Sequence, residues 1–220
     1  MKRLAALAVL TLAGVSSAFA DPDENERREK QREVHALRGR VVESQGCPAS
    51  TFTIVTAPDG GAISVLFDKF AVNGTQANSG FARMTCGMEI PLHLPAGFSL
   101  GVYQLDYRGF AHLEDKQRGE LSVNYGTGSG EHNRGRRFHR DVHGVYDGDF
   151  VFNERLKGGF VKRMGCGDEA VLNFAATLTL TSKRGSKAGS MALDSVDGAP
   201  QGGLTFGLDL KKCGDRSGDR

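Results

Sequence analysis

The sequence has little of what membrane-spanning and nucleic-acid-binding proteins need. A spanning helix requires about 20 consecutive apolar residues, and the longest apolar run, residues 4–15, is shorter. Lysine and arginine number 28 and aspartate and glutamate 26, so no strong field of one sign surrounds the chain. We therefore expect no transmembrane segment and no nucleic-acid partner.

Closely spaced cysteines are absent as well. The chain has four cysteines, Cys47, Cys86, Cys166 and Cys213, and they are far apart in the sequence. Structural zinc sites usually use close pairs such as C-x₂-C. We therefore expect no metal site, and no motif indicates another cofactor.

The N-terminus has the features of an export signal. Lys2 and Arg3 precede the apolar run, and residues 16–20 end in an A-x-A cleavage site. We predict a signal peptide over residues 1–20, without the cysteine that a lipid anchor would need. Its removal takes Lys2 and Arg3 from the 28 basic residues and leaves 26 against 26 acidic ones. The predicted location is secreted or periplasmic.

The remaining chain divides into three predicted parts. Residues 21–40 are almost entirely charged or polar, and Val34 and Leu37 are the only sizeable apolar residues, which is too little apolar surface to offset the entropy of ordering. We predict a flexible leader there, with a short solvated helix as the alternative. Residues 41–213 are predicted to form one domain and residues 214–220 a disordered tail.

Apolar residues in the predicted domain recur with a period of two, which is typical of β-strands. Segments 62–68, 88–94, 99–113, 170–181 and 203–211 alternate in this way, and Gly- and Pro-containing turn signals separate them. Segment 99–113 is either one long strand or two strands joined at Gly109. The 30 glycines and the lack of a sustained amphipathic helix predict an all-β, antiparallel β-sandwich or jelly-roll-like domain.

An even number of cysteines in an exported chain indicates disulfides. Four cysteines allow three connectivities, and we predict the sequential one, Cys47–Cys86 and Cys166–Cys213. Each bond would close a loop of about 40–50 residues and stabilise the fold by about 4 kcal/mol in the chain-entropy model.

Several short motifs follow one another along the domain. They are Gly46-Cys47-Pro48, residues 62–68, Cys86, residues 90–98, 106–113 and 146–150, Cys166-Gly167, residues 194–198 and Cys213. This ordered set resembles the secreted fungal and bacterial proteins grouped as domain-of-unknown-function family 4360, and it covers about residues 46–213. The chain departs from many members in having no tryptophan before Cys213. The family has no established activity, so the resemblance implies fold and secretion only.

The strongest functional candidate is a basic segment in an otherwise neutral domain, formed by Arg134, Arg136, Arg137, His139 and Arg140. Guanidinium groups bind carboxylates and phosphates well, so the segment predicts an anionic glycan, cell-wall polymer or lipid surface as the partner. The alternative is an edge strand whose charges prevent aggregation. We predict a non-enzymatic binding or interaction module and assign no catalytic residue. The sequence indicates no oligomeric state.

A secreted glycan-active enzyme is the alternative function. Asp147 and Asp149 would lie about 6–7 Å apart on one strand face, a spacing compatible with glycoside hydrolysis, and Asp106 is a further candidate. An Asp-Gly-Asp turn is the favoured interpretation of residues 147–149. His139 and His143 would stand about 13 Å apart on a strand, too far to share one ion.

Overall fold

The structure is a computed structural model that describes residues 34–76, 80–127, 136–156, 163–166, 170–182, 188–193 and 203–214. The predicted signal peptide, residues 21–33 of the leader, Arg134 and residues 215–220 lie outside the described residues. The described strands are β1 (His35–Ala36), β2 (Arg40–Glu43), β3 (Phe52–Thr56), β4 (Ala62–Phe67), β5 (Ala71–Asn73), β6 (Phe81–His93), β7 (Phe98–Leu113), β8 (Arg118–Thr127), β9 (Arg136–His143), β10 (Tyr146–Arg155), β11 (Met164–Gly165), β12 (Ala170–Thr181), β13 (Ser190–Ala192) and β14 (Gly203–Lys212).

These strands form two antiparallel sheets. Sheet A has the order β1-β6-β12-β8-β9, with β2 also beside β6. Sheet B has the order β3-β4-β14-β7-β13-β5. The strands β14 and β13 pair with one edge of β7, and β10 and β11 pair with its opposite edge. A short 3₁₀ turn at Gly74–Gln76 is the one helical element among the described residues, so the predicted all-β antiparallel fold is confirmed.

The inner faces of the two sheets share one apolar core. On β12, Leu172, Phe174 and Leu178 are buried at alternate positions, as the period of two predicts. Phe206 of sheet B reaches two rings of sheet A, with its centroid 5.7 Å from that of Phe174 and 6.3 Å from that of Tyr125. The long segment after residue 98 is a single strand, β7, and Gly109 does not divide it.

Two disulfides fasten the ends of this fold. Cys47–Cys86 ties the segment after β2 to β6, with 5.2 Å between the Cα atoms, and Cys166–Cys213 ties the end of β11 to the end of β14, with 5.6 Å between them. The predicted sequential connectivity is confirmed. No helix of the described residues is long and apolar enough to cross a membrane.

The sheets begin earlier than the predicted domain boundary. Val34 is buried in the core, β1 pairs with β6, and the Ala36 N–H donates to Thr56 Oγ1 at 3.0 Å. Residues 34–40 were assigned to the flexible leader because their apolar content is low. They are ordered because Val34 fills the core and the backbone of β1 extends sheet A.

Candidate functional site

Residues 136–140 of the basic segment lie on β9, an edge strand in the described part of sheet A, and strand alternation divides their side chains between two faces. Arg136 and Arg140 are paired with the buried Tyr125 and Leu121 and point to the core side. Arg137 and His139 point to the outer face. The described part of the predicted site is therefore not one continuous basic surface.

On the outer face the basic side chains already have partners within the protein. His139 lies between two carboxylates, with Nδ1 3.4 Å from Glu120 Oε1 and Nε2 3.1 Å from Asp141 Oδ1. Arg118 Nη2 is 2.9 Å from Asp141 Oδ2 and 3.6 Å from Glu120 Oε2. Arg137 Nε donates to Ser122 Oγ at 3.0 Å. An anionic ligand would therefore meet the carboxylates of Glu120 and Asp141 beside these basic side chains.

The same group has the composition of a cation site. Glu120, His139 and Asp141 each offer a ligand atom, and these atoms lie within 4.8 Å of one another. Glu120 and Asp141 are direct partners on β8 and β9, and His143 is paired with Arg118 instead. Because the Arg118 guanidinium already contacts both carboxylates, we assign no ion to this group.

On the core side, the arginines support the edge of the core. Arg140 forms an ion pair with Glu154 of β10, whose side chain is only 11% exposed. Burial, and then the nearby Glu154 carboxylate, raise the pKa of Tyr107 far above its ordinary value. Burial likewise raises the pKa of Tyr125, and Arg136 lowers it in part. Both phenols are therefore neutral, and Arg140 is engaged in an ion pair.

The candidate carboxylates of the enzyme hypothesis lie on the outer face of sheet B. Asp147 and Asp149 belong to β10, so the predicted turn at these residues is wrong. The chain turns earlier, at residues 144 and 145, and Gly148 continues the strand opposite Ala111. Asp147 Oδ1 lies 3.2 Å from His112 Nδ1.

Asp106 does not join these two carboxylates. Asp149 is paired with Phe110, which is four residues along β7 from Asp106, or about 13 Å at 3.3 Å per residue. Asp106 instead receives two amide hydrogen bonds, from Gln104 Nε2 at 2.8 Å and from Asn153 Nδ2. The three aspartates therefore do not converge on one point.

A β-bulge next to Asp106 creates an unusual surface. Gly207 is paired with Gln104 and Leu208 with Val102, which leaves Tyr103 as an extra residue. Val102 and Leu105 are both buried, so Tyr103 and Gln104 face outward together. Bulges are frequent beside functional sites because they redirect a side chain in this way.

The Tyr103 ring lies against a glycine on the neighbouring strand. A Cβ atom added at Gly207 would be 3.0 Å from Cζ and 3.1 Å from Cε1 of Tyr103. The ring remains 43% exposed and has Gln104 and Asp106 on its own strand. An exposed aromatic ring thus lies beside a planar, hydrogen-bonded polar group.

The polar group continues across sheet B as a row of side chains. Cross-strand pairing places Asn153, Asp106, Thr205, Ser64 and Val55 side by side on five adjacent strands. Ser64 Oγ and Thr205 Oγ1 are 2.8 Å apart. We call Asn153, Asp106, Thr205 and Ser64 the polar row.

Sequence reasoning missed this surface, although the sequence contains a signal for it. In segment 99–113 the apolar alternation runs through Leu100 and Val102 and then resumes at Leu105 and Tyr107. This change of phase indicates an inserted residue. The pairing that brings Gly207 beneath Tyr103 joins residues about a hundred positions apart, so no local pattern could show it.

The chain was compared with known proteins. The model of the family described as Domain of unknown function (DUF4360) matches residues 37–213. An "Uncharacterized secreted protein" of Arthroderma benhamiae is 29% identical over 166 residues, which are 74% of this chain and 66% of that relative. The chain thus spans just under two thirds of the relative's length. The two disulfides agree with a secreted location, because such bonds persist in oxidising compartments.

Solved structures give only remote similarities. TmCBM61 in complex with beta-1,4-galactotriose is 15% identical, with a TM-score of 0.24, and the match covers 79% of this chain and 88% of that chain. A protein of the Israeli acute paralysis virus particle is 10% identical, with a TM-score of 0.26, covering 96% and 81%. Such low TM-scores carry no argument about fold or ligand.

Proposed function

This chain belongs to the DUF4360 family, whose description names no activity, and we propose that it is a non-enzymatic module that binds a glycan on the outer face of sheet B. The observation that carries the proposal is the exposed ring of Tyr103, which a bulge places against Gly207 and beside the polar row.

The chemistry of this surface suits a sugar. A pyranose ring has an apolar C–H face that can cover an aromatic ring, and hydroxyl groups at its edge that need hydrogen-bond partners. Tyr103 supplies the aromatic face. Asp106 is acceptor-only when ionised, and the carbonyl oxygens of Gln104 and Asn153 add further acceptors. Sugar hydroxyls can donate to all of them.

The site is held in place before a ligand arrives. Gln104 and Asn153 donate to different oxygens of Asp106, which fixes the carboxylate between them. Side chains that are already ordered lose less conformational entropy on binding. The separation of Asp106 from Asp149, about 13 Å along β7 at 3.3 Å per residue, supports a binding role over catalysis, since glycoside hydrolysis needs two carboxylates at one bond.

In this proposal the ligand binds sheet B rather than the basic segment. Arg140 is paired with Glu154, and His139 lies between Glu120 and Asp141. We further propose that residues 1–20 are removed during export, to the periplasm or the medium. N-terminal sequencing of the exported protein would test that cleavage.

The test is a glycan array with the mature, oxidised protein and three variants. Tyr103→Ala removes the exposed aromatic ring on which the sugar is proposed to lie, which we call the tyrosine platform. Phe81→Ala removes an apolar ring of comparable exposure, 51%, from sheet A, and Arg136→Ala/Arg137→Ala removes two charges from β9. We expect the wild type, Phe81→Ala and the double variant to bind the same glycans and Tyr103→Ala to lose them. Full binding by Tyr103→Ala, or no bound glycan for the wild type, would refute the proposal.

A further inference from the structure

We infer that the ligand of this face is an uncharged polysaccharide, bound as an extended chain that crosses the strands of sheet B along the polar row. This inference rests on the proposed function and adds the class of glycan, its direction and the length that is bound.

The direction follows from the spacing of the polar row. Its four members lie on the adjacent strands β10, β7, β14 and β4, and Val55 of β3 continues the line. Adjacent strands are about 4.8 Å apart, so the line from Asn153 to Val55 measures about 19 Å. The spacing of about 4.8 Å between adjacent strands is comparable to the advance of one pyranose unit in an extended chain. Successive sugars can therefore meet successive polar side chains.

The middle of the line is low enough to admit a chain. On β14, Thr205 stands between Gly203 and Gly207, and the β4 residues opposite them are Leu66, Ser64 and Ala62. The half-buried hydroxyls of Thr205 and Ser64 contact each other, and each retains capacity for another hydrogen bond. A ligand on Tyr103 and Asp106 can extend over Thr205 and Ser64, with the half-buried Leu66 bordering this floor on one side.

Both ends of the line lie at sheet edges. In the part of the chain that the structure describes, β10 pairs only with β7 and β3 only with β4. A polysaccharide could therefore continue past either edge. The geometry suits the interior of a long chain and does not require a chain end.

The charges on this face indicate an uncharged ligand. Among the described outward-facing residues of β7, β10 and β14, together with Arg163 before β11, the carboxylates and the guanidinium or ammonium groups are equal in number: Asp106, Asp147, Asp149 and Asp209 against Arg108, Arg155, Arg163 and Lys211. Arg163 is itself paired with Asp209 at 2.9 Å. Asp106, at the centre of the row, would repel a polyuronate, and the neighbouring Arg108 and Arg155 would repel a protonated amino polysaccharide.

Calorimetry tests how long a stretch of the polysaccharide is bound. The ligands are uncharged β-linked oligosaccharides of one to six units, taken from the series that the wild type binds. We expect the affinity to rise with each unit up to about four and then to level off, because about four strand spacings are available. Thr205→Val keeps the side-chain shape and removes one hydroxyl from the far half of the row. We expect it to weaken the hexasaccharide by up to about tenfold and to leave the disaccharide unchanged.

Thr53→Val is the matched control, since Thr53 also lies on sheet B but outside the row. A monosaccharide that binds as tightly as the hexasaccharide would overturn the extended-chain inference while leaving glycan binding intact. Tighter retention by polygalacturonate or chitosan gels than by an uncharged glucan gel would overturn the uncharged class. If no glycan of any length binds, the proposed function itself fails.

Discussion

Replacing Gly207 by alanine tests whether the position of the Tyr103 ring matters, without removing the ring. The new methyl group would lie 3.0 Å from Cζ and 3.1 Å from Cε1 of Tyr103, and 3.2 Å from Cβ of Gln104. The ring is the outer part of a flexible side chain, so it can shift by several tenths of an ångström while the backbone stays in place. We expect Gly207→Ala to fold normally and to bind the glycan more weakly.

The size of the effect follows from the exposed surface of Tyr103. Full burial of an aromatic side chain removes about 150–250 Å² from water, and 43% of this residue is still exposed. A ligand that covers the remaining area, about 80 Å², gains about 2 kcal/mol at ~25 cal/mol per Å². A gap of about 0.5–1 Å between the ring and the ligand removes a quarter to a half of the attractive contact energy. Gly207→Ala should therefore cost about 0.5–1 kcal/mol, or about two- to fivefold in Kd.

A double-mutant cycle with Tyr103→Ala makes this prediction sharp. Calorimetry with one glycan would give Kd for the wild type, both single variants and the double variant. We expect Tyr103→Ala alone to weaken binding by up to about thirtyfold, corresponding to about 2 kcal/mol, and Gly207→Ala to have no further effect in that background. An equal loss from Gly207→Ala in both backgrounds, or no loss when Gly207→Ala is made in the wild-type chain, would refute the role of the Tyr103 ring. Thermal unfolding of each variant controls for damage to the fold.

Three further predictions concern stability. Arg140→Ala leaves the buried Glu154 carboxylate without its cation and should lower the free energy of unfolding by about 3 kcal/mol. The control Arg137→Ala removes an exposed arginine from the same strand and should change the free energy of unfolding by less than about 1 kcal/mol. Urea unfolding compares the two variants, and equal losses would contradict the division of β9 into two faces. The raised pKa of Tyr107 keeps its phenol protonated in the native state while the unfolded chain ionises, so stability should fall above about pH 10 by about 1.4 kcal/mol per pH unit for this group. Tyr107→Phe should flatten that decline, and an unchanged slope from pH 9 to 11 would argue against it. Cys166→Ser/Cys213→Ser opens a loop with a sequence separation of 47 and should lower the free energy of unfolding by about 4 kcal/mol. Guanidinium unfolding measures this loss. A loss under about 1 kcal/mol would mean that the disulfide joins regions that packing already holds in place.

Much of the scaffold could be predicted from local patterns. The alternation in segment 170–181 predicts β12 with the same bounds, and segment 203–211 differs from β14 by one residue. Such strands are readable because one face is buried along their whole length. The leader boundary was less accurate, because burial of Val34 depends on distant strands that a composition of charged residues does not reveal.

The candidate sites were less predictable. Five basic residues close together in the sequence, from Arg134 to Arg140, suggested one anionic-ligand surface. A strand sends neighbouring side chains to opposite faces, and the carboxylates that compensate two of them, Glu120 and Glu154, come from other strands. For the described residues 136–140, closeness along the chain therefore does not place the basic side chains on one surface.

The sequence by itself determined the all-β class, the strand segments with a buried face and the presence of disulfides, since these depend on periodicity, composition and export. Which of the three possible cysteine pairings forms was decided by the tertiary structure. Only the tertiary structure decided which side chains share a surface. The tyrosine platform needs a bulge in β7, a glycine on β14 and an amide on β10. Cross-strand register brings such residues together, and register is a property of the assembled sheet rather than of any one segment.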